Sequence, residues 1–278
     1  MCYNTSYKRG GIMERIITIN SNNLPKSIMT KDILKDKLQK VGFTVCDDIH
    51  PETELIISIG GDGSFLQTVH DFEFPEVPIL GINTGHLGFF PDFSPSDIDH
   101  FIESYLVGDY IVQEIPVLQS TVCTKSNCSD VFAINEVVVK GYKSRTIHLS
   151  LGINDHHVQN FSGDGLIVST STGSTAYNYA ASGSIIDPSI NVMQITPLAP
   201  INTNAYRSFT SSIICSKDSI VNIAPEYRFE DSILIVVDGV EYQFKQIVSI
   251  STFVSDLKVK LLRMSNYEFW SRVTEKFL

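Results

Sequence analysis

The chain has 278 residues, 43% of them hydrophobic and 19% charged, enough apolar material for an ample core and two soluble domains rather than a disordered chain. Its formal net charge of -10 argues against nucleic acid or an anionic membrane as a partner, since such binding rests on Lys and Arg footprints that neutralise phosphates. A small anionic ligand is still allowed, because a local basic cluster can override the global sign.

Residues 1 to 12, MCYNTSYKRGGI, lack the apolar core of a secretory signal, Met13 reads as the natural start, and no segment reaches the roughly 18 apolar residues of a membrane span. RIITIN is predicted as a strand. MTKDILKDKLQKVG follows as an amphipathic helix, with Ile33, Leu34, Leu38 and Val41 on one face, Thr30 as N-cap and Gly42 as its stop. LIISI, a nearly continuous apolar run from Leu55 to Ile59, reads as a strand covered on both faces of a parallel sheet. A short helix from Phe65 to Val69, the strand VPILGIN and the helix SPSDIDHFIESYLVG complete a βαβαβα order, the pattern of a doubly wound sheet. Beyond Gly108 the pattern changes to short strands: VFAINEVVVK, IHLSLGIND, HHVQNF, GLIVST, SIVNIA and ILIVVDGVEYQF, the last with Asp238-Gly239 as a hairpin turn. NYEFWSRVTEKF closes the chain as an amphipathic helix carrying Phe269, Trp270 and Val273. The expected architecture is α/β plus all-β. A Rossmann-like α/β domain takes residues 13–112, with the C-terminal helix returning to it over about 255–278, and an antiparallel β-sandwich domain takes 113–254.

Five cysteines, Cys2, Cys46, Cys123, Cys128 and Cys215, form no CxxC pairs. No disulfide framework and no zinc site is expected, although Cys123 and Cys128 are near enough to share a hairpin, and a reducing cytoplasm is the expected compartment.

The GGDGS turn at 60 to 64 sits at the C-terminal edge of the LIISI strand, where open α/β sheets bind ligands and a helix N-terminus offers N–H groups to phosphate. Asp62, flanked by Gly61 and Gly63, is out of place as a phosphate ligand. A carboxylate there suits a metal, or a proton leaving a hydroxyl that attacks a phosphoryl group. Gly, Asp and Ser are also ordinary turn residues, and Ser64 as a helix cap would explain the stretch without chemistry. NTGHLGFF, 83 to 90, lies at the same sheet edge and presents His86 and Phe89; a surface histidine and a core phenylalanine in a loop would read the same way. Asn135 and Glu136 interrupt an apolar strand and want buried hydroxyl or amide partners, for which a ribose diol is apt. Because neighbours on a strand point to opposite faces, Asn135 is favoured over Glu136 unless a bulge intervenes. SGDGLIVSTSTGSTAYNYAASG, 162 to 183, carries a second GDG turn and a Ser/Thr/Gly loop opening a helix near Ser174, with Tyr177 placed to stack on a base. Lys140, Lys143 and Arg145 form a small basic cluster, suited to phosphate but more often a solvated hairpin.

With these blocks in hand, nearly the whole chain resembles the ATP/polyphosphate NAD kinases. GGDGS, NTGHLGF, the Asn135-Glu136 pair, GDG at 163 to 165 and TGSTAY at 172 to 177 match that family's blocks in order and spacing. GGDGS alone is shared with phosphofructokinases and nearly so with lipid kinases. The resemblance implies phosphorylation of the 2′-hydroxyl of the adenosine ribose of NAD by ATP or polyphosphate, with Asp62 as general base or orienting group. It implies Phe89, Asn135, Thr172, Thr175 and Tyr177 around the adenosine part, and Asp164 with Ala176 toward the nicotinamide part. It further implies Mg²⁺ carried by the donor phosphates without a protein cage, and assembly as a homodimer or homotetramer.

Some positions depart from the family pattern. Ser171 stands where many members have Pro, and Ala180 where a substrate-facing Ser is common. TPLAPINTNAYRS keeps Ala199, Ile201 and Tyr206 as in a smaller bacterial subgroup. These changes bear on NAD against NADH preference. Two rival readings are a sugar-phosphate kinase, which would want an Arg and His cluster for the acceptor's phosphate, and a dinucleotide sensor without turnover, which would not need Asp62.

Overall fold

The computed structural model describes residues 14–204, 207–226 and 233–278; the expected start at Met13 and the site residue Tyr206 lie outside the described residues. The chain divides into two compact units, one of residues up to Glu114 together with Val259–Leu278, the other Ile115–Lys258. Among the described residues no helix is long and apolar enough to cross a membrane.

The first unit is built from β1 (Arg15–Ser21), α1 (Pro25–Lys40), β2 (Phe43–Cys46), β3 (Thr53–Gly60), α2 (Asp62–Asp71), β4 (Ile79–Asn83) and α3 (Ile98–Val107). The strands pair in parallel in the order β2-β1-β3-β4. The order reverses between β1 and β3, and the crevice beyond the C-terminal ends of those two strands is where open α/β sheets hold ligands. Ile57 and Ile59 of β3 pack with Ile17, Leu34, Leu80 and Phe101 in the unit's core. α1 differs from the predicted helix. It starts at Pro25, whose missing N–H costs nothing in a first turn, and buries Ser27, Thr30, Leu34 and Leu38 while Ile33 and Val41 are exposed. Thr30 is no cap; its hydroxyl donates to the Lys26 carbonyl inside the helix. Ser27 earns its buried place through a 2.7 Å hydrogen bond to Thr84. Helix α2 begins at Asp62, so Ser64 lies within its first turn and accepts from the Asn22 amide at 2.9 Å instead of capping the helix.

The second unit contains β6 (Cys128–Ala133), β7 (Glu136–Gly141), β8 (Ile147–Ile153), β9 (His156–Gly163), β10 (Gly165–Thr170), α4 (Tyr177–Ala180), β11 (Val192–Leu198), β12 (Ile213–Ser216), β13 (Val221–Pro225), β14 (Ile233–Val237) and β15 (Val240–Tyr242). Two long strands, β5 (Ile111–Thr124) and β16 (Ile247–Arg263), contribute residues to both units, and α5 (Phe269–Phe277) ends the chain in the first unit. An antiparallel sheet ordered β12-β11-β10-β7-β14-β15 sends Val137, Val139, Leu166 and Val168 into one core with Leu149, Leu151 and Phe161 from the antiparallel run of β16, β13, β8 and β9. That alternation along β7 and β10 is the signature of a sandwich.

Three expectations need correction here. The stretch from Val131 to Lys140 is two strands, β6 and β7, separated at Ile134 and Asn135. No long helix opens near Ser174: a 3-10 turn over Thr172–Thr175 leads into the single turn of α4. Cys123 and Cys128 face each other across the β5–β6 hairpin and are joined in a disulfide, because the register makes them direct cross-strand partners.

Candidate active site

In the first unit the site is a turn facing a loop. Two glycines end β3 because a side chain at Gly60 would overlap the Ser64 hydroxyl, while Gly61 takes the extended N-cap conformation that lets α2 start at the next residue. Asp62 occupies the first position of α2, where the helix dipole favours a carboxylate. The second half of the site is the NTGHLGFF loop after β4. Its Phe89 and Phe90 amides donate to Asp62 Oδ1 at 2.8 and 2.9 Å. Asp62 Oδ2 accepts no hydrogen bond among the described residues, so the carboxylate has one anchored oxygen and one available for chemistry. Gly88 is required by contact, since a Cβ there would overlap the Asp62 carboxylate. Asn83 shapes the loop from within, donating to the His86 carbonyl and accepting from the Gly85 amide, both at 2.9 Å. The His86 side chain is exposed and Phe89 is buried against the rings of Phe269 and Phe277. A cavity of about 330 Å³ at the β1 and β3 ends is lined by Asn20, Asn22, Gly63 and Ser64.

In the second unit Asn135 and Glu136 are both buried, at 7% and 6% exposure. The break between β6 and β7 removes the strict alternation that would have turned one of them away. Its backbone is held by Asp238 of the β14–β15 hairpin, whose carboxylate accepts from the amides of Ile134, Asn135 and Glu136 at 2.8, 2.8 and 3.2 Å. The TGST turn lies directly on this break: a side chain at Gly173 would overlap the Asn135 backbone, and Thr170 donates to the Ile134 carbonyl at 2.7 Å. Two buried polar atoms here, Glu136 Oε2 and Thr172 Oγ1, have no hydrogen-bond partner, which in a native interior calls for a ligand or water. Burial, reinforced by the charge of Asp238 and opposed by the Tyr177 amide, pushes the Glu136 carboxyl up to about 8. At neutral pH it is therefore mostly protonated and can donate as well as accept.

Asp164, Tyr177 and Ala199 line one cavity of about 530 Å³ together with Lys140, Lys143 and Arg145. The basic cluster thus borders a cavity, while Lys143 and Arg145 are also exposed to solvent as expected of a hairpin. Thr175 and Ala176 lie in the turn leading to Tyr177, and the Ile201 amide donates to the Ser162 carbonyl at 2.7 Å beside the GDG turn. The residues missed from sequence are the supports: Asp238, Gly88, Gly173 and Phe90. Asp238 carried a signal, a carboxylate on a hairpin directly after a buried strand, and it was absorbed by the turn reading.

Taken unit by unit, these groups suit one class of chemistry: in the first a half-anchored carboxylate at a Gly-rich strand-to-helix turn, and in the second two buried polar atoms without partners and a cavity bordered by cations. Residues 12–110 match the family model of the ATP-NAD kinase N-terminal domain and 134–264 that of the ATP-NAD kinase C-terminal domain. The chain is 37% identical over 269 residues to the NAD kinase of Finegoldia magna, covering 95% of this chain and 98% of that one. It is 34% identical over 265 residues to the NAD kinase of Lactobacillus acidophilus, covering 94% and 97%. Among solved structures, yeast NADH kinase complexed with NADH superposes with a TM-score of 0.83 at 18% identity, over 94% of this chain and 87% of that one. An NAD kinase from Archaeoglobus fulgidus in complex with ATP gives 0.73 at 20% identity, over 95% and 98%; at these identities the likeness speaks for the fold. The chain belongs to the ATP-NAD kinase family.

Proposed function

We propose that this protein transfers the terminal phosphoryl group of ATP, or of polyphosphate, to the 2′-hydroxyl of the adenosine ribose of NAD, giving NADP. The observation that carries the catalytic assignment is the Asp62 carboxylate, with Oδ1 fixed by the Phe89 and Phe90 amides and Oδ2 left to take the hydroxyl proton. As that proton moves to Oδ2, the ribose oxygen bonds to the terminal phosphorus and the bond to the donor's bridging oxygen breaks, releasing ADP. Proximity and fixed orientation supply most of the acceleration in such a transfer. Asn135, protonated Glu136 and Thr172 are read as partners of the adenosine ribose and base, Phe89, Thr175 and Tyr177 as further contacts of the adenosine part, and Asp164, Ala176, Ala199 and Ile201 as contacts of the nicotinamide side. Lys140, Lys143 and Arg145 border that cavity and suit the anionic part of the ligand. Gly61, Gly63 and His86 are read as further substrate contacts, and the Asn- and Ser-lined crevice that includes Gly63 suits phosphate oxygens of the donor.

Magnesium with the donor, a cytoplasmic location and a homodimeric or homotetrameric assembly belong to the same reading and rest on family membership. The ion is read as carried by the donor without a protein cage; among the described residues no group of three His, Cys, Asp or Glu side chains converges. It would be held by the donor's phosphates, whose charge it neutralises.

The test is NADP formation by purified protein given NAD, ATP and Mg²⁺, with fructose 6-phosphate present as a competing acceptor and polyphosphate as a second donor. NADP is expected and fructose bisphosphate is not. Binding of NAD without NADP from either donor would replace the enzyme reading with that of a sensor. A second expectation concerns Gly88→Ala: the added methyl must displace the Asp62 carboxylate, so kcat should fall by about tenfold or more with a smaller change in the KM for NAD. Steady-state kinetics with NAD as the varied substrate decide it.

A further inference from the structure

The loop that holds Asp62 is itself held from behind by a buried ion pair. Arg263, at the end of β16, is 4% exposed, and its Nη1 lies 2.6 Å from Asp92 Oδ1 and 3.2 Å from the Phe90 carbonyl oxygen. Its Nε donates to Gln113 at 3.0 Å, and the guanidinium lies 3.8 Å from the centre of the Tyr267 ring. The N–H of the same residue, Phe90, donates to Asp62 Oδ1 at 2.9 Å. Two residues further on, Asp92 closes the frame, and between them Pro91 packs so tightly on β4 that Gly81 has no room for a side chain. The Phe90 ring stacks on Phe65 of α2 at 4.5 Å. One residue, Phe90, therefore joins Arg263 through its carbonyl to the Asp62 carboxylate through its N–H, in two consecutive peptide groups.

A buried ion pair is a poor device for stability alone, because well-packed apolar side chains of the same volume do as well or better. What a guanidinium adds is direction: a planar fork that engages a carboxylate, a carbonyl and an amide oxygen at fixed angles. Lys276 provides a second cation to the loop, donating to the Leu87 carbonyl, but it is exposed and contacts the peptide before Gly88. Arg263 bonds the carbonyl of the residue whose own N–H is an Asp62 donor.

We propose that Arg263 is a positioning residue for the phosphoryl transfer, fixing the backbone of Phe90 and through it the orientation of the Asp62 carboxylate, with Asp92 as its counter-ion. This rests on the catalytic reading of Asp62, and the two are separable by experiment. Arg263→Gln and Arg263→Lys are made alone and in the Asp62→Asn background, and phosphoryl transfer is followed with labelled ATP alongside amide hydrogen exchange at Phe89 and Phe90. Arg263→Gln should lower kcat by about tenfold or more while moving the KM for NAD less than about threefold. In the Asp62→Asn background the same change should cost less than about twofold, since the group it orients is already gone. Arg263→Lys keeps the charge against Asp92 but not the fork; it should recover the melting temperature more fully than the turnover, and it carries the test if the Gln variant does not fold. Exchange at the Phe90 amide should quicken by about tenfold in either variant. Wild-type kcat in Arg263→Gln, or equal losses in both backgrounds, overturns the proposal. Should Asp62→Asn retain wild-type turnover, the catalytic reading falls, and unchanged Phe90 exchange in the Arg263 variants would then remove the clamp as well.

Discussion

Asp62→Asn should lower kcat by roughly a hundred- to ten-thousand-fold while leaving the Kd for NAD within about thirtyfold of wild type. The asparagine is nearly the same size and keeps an oxygen for the Phe89 and Phe90 amides, which hold Oδ1 at 2.8 and 2.9 Å. The loop geometry is thereby retained. What is lost is the second oxygen as a proton acceptor, because an amide nitrogen cannot take the hydroxyl proton. The loss belongs to the transition state, so it appears in kcat and kcat/KM together, with binding measured separately by calorimetry. Equal losses in Kd and kcat/KM would mean that Asp62 holds the ligand and does not act in the chemical step.

The strand-to-helix junction and the parallel order of the first unit were legible because both rest on local pattern: LIISI is buried on both faces, and the glycines of GGDG mark where the strand gives way to α2. α1 was misread at its start because Ser27 and Thr30, polar residues that a hydropathy stripe passes over, take buried positions through partners far away in sequence, Thr84 among them. β5, β11 and β12 were missed for a related reason. IVQEIPVLQSTVCT has exposed and charged residues in its first half and a proline in the middle, so its strand character comes from pairing rather than from alternation. At the site, the residues that belong to the family's blocks were legible, and the residues that hold them were not. Asp238 stands about a hundred residues from the amides it accepts, and Arg263 still further from Phe90. Such supports have no local periodicity; only the folded register brings them together.

Asp238→Ala is expected to be the most damaging change in the second unit. The carboxylate accepts from three consecutive backbone amides, those of Ile134, Asn135 and Glu136, at the break between β6 and β7. Truncation leaves those part-buried N–H groups unpaired, at a cost of about 2–4 kcal/mol, visible as a melting temperature lower by several degrees. Because the same break presents Asn135 and Glu136, affinity for NAD should fall with it. Asp238→Asn, which keeps one acceptor oxygen and removes the charge, separates the two functions of the side chain. Glu136 ordinarily titrates near 4.5, and burial together with the Asp238 charge raises it to about 8 in the folded protein. Between those values the folded state keeps a proton that the unfolded chain has released, so folding takes one up. The contribution to stability is then fully present below 4.5 and declines as the pH rises, until it is lost at about 8. Removing the Asp238 charge takes away one of the two causes of the rise, so the upper end of that window should move to lower pH, while Glu136→Gln should abolish it. Denaturant midpoints of wild type and the two variants at pH 5 and pH 8 give the comparison. An unchanged wild-type difference in Glu136→Gln would assign the pH dependence to another group and leave Asp238 with its three amides alone.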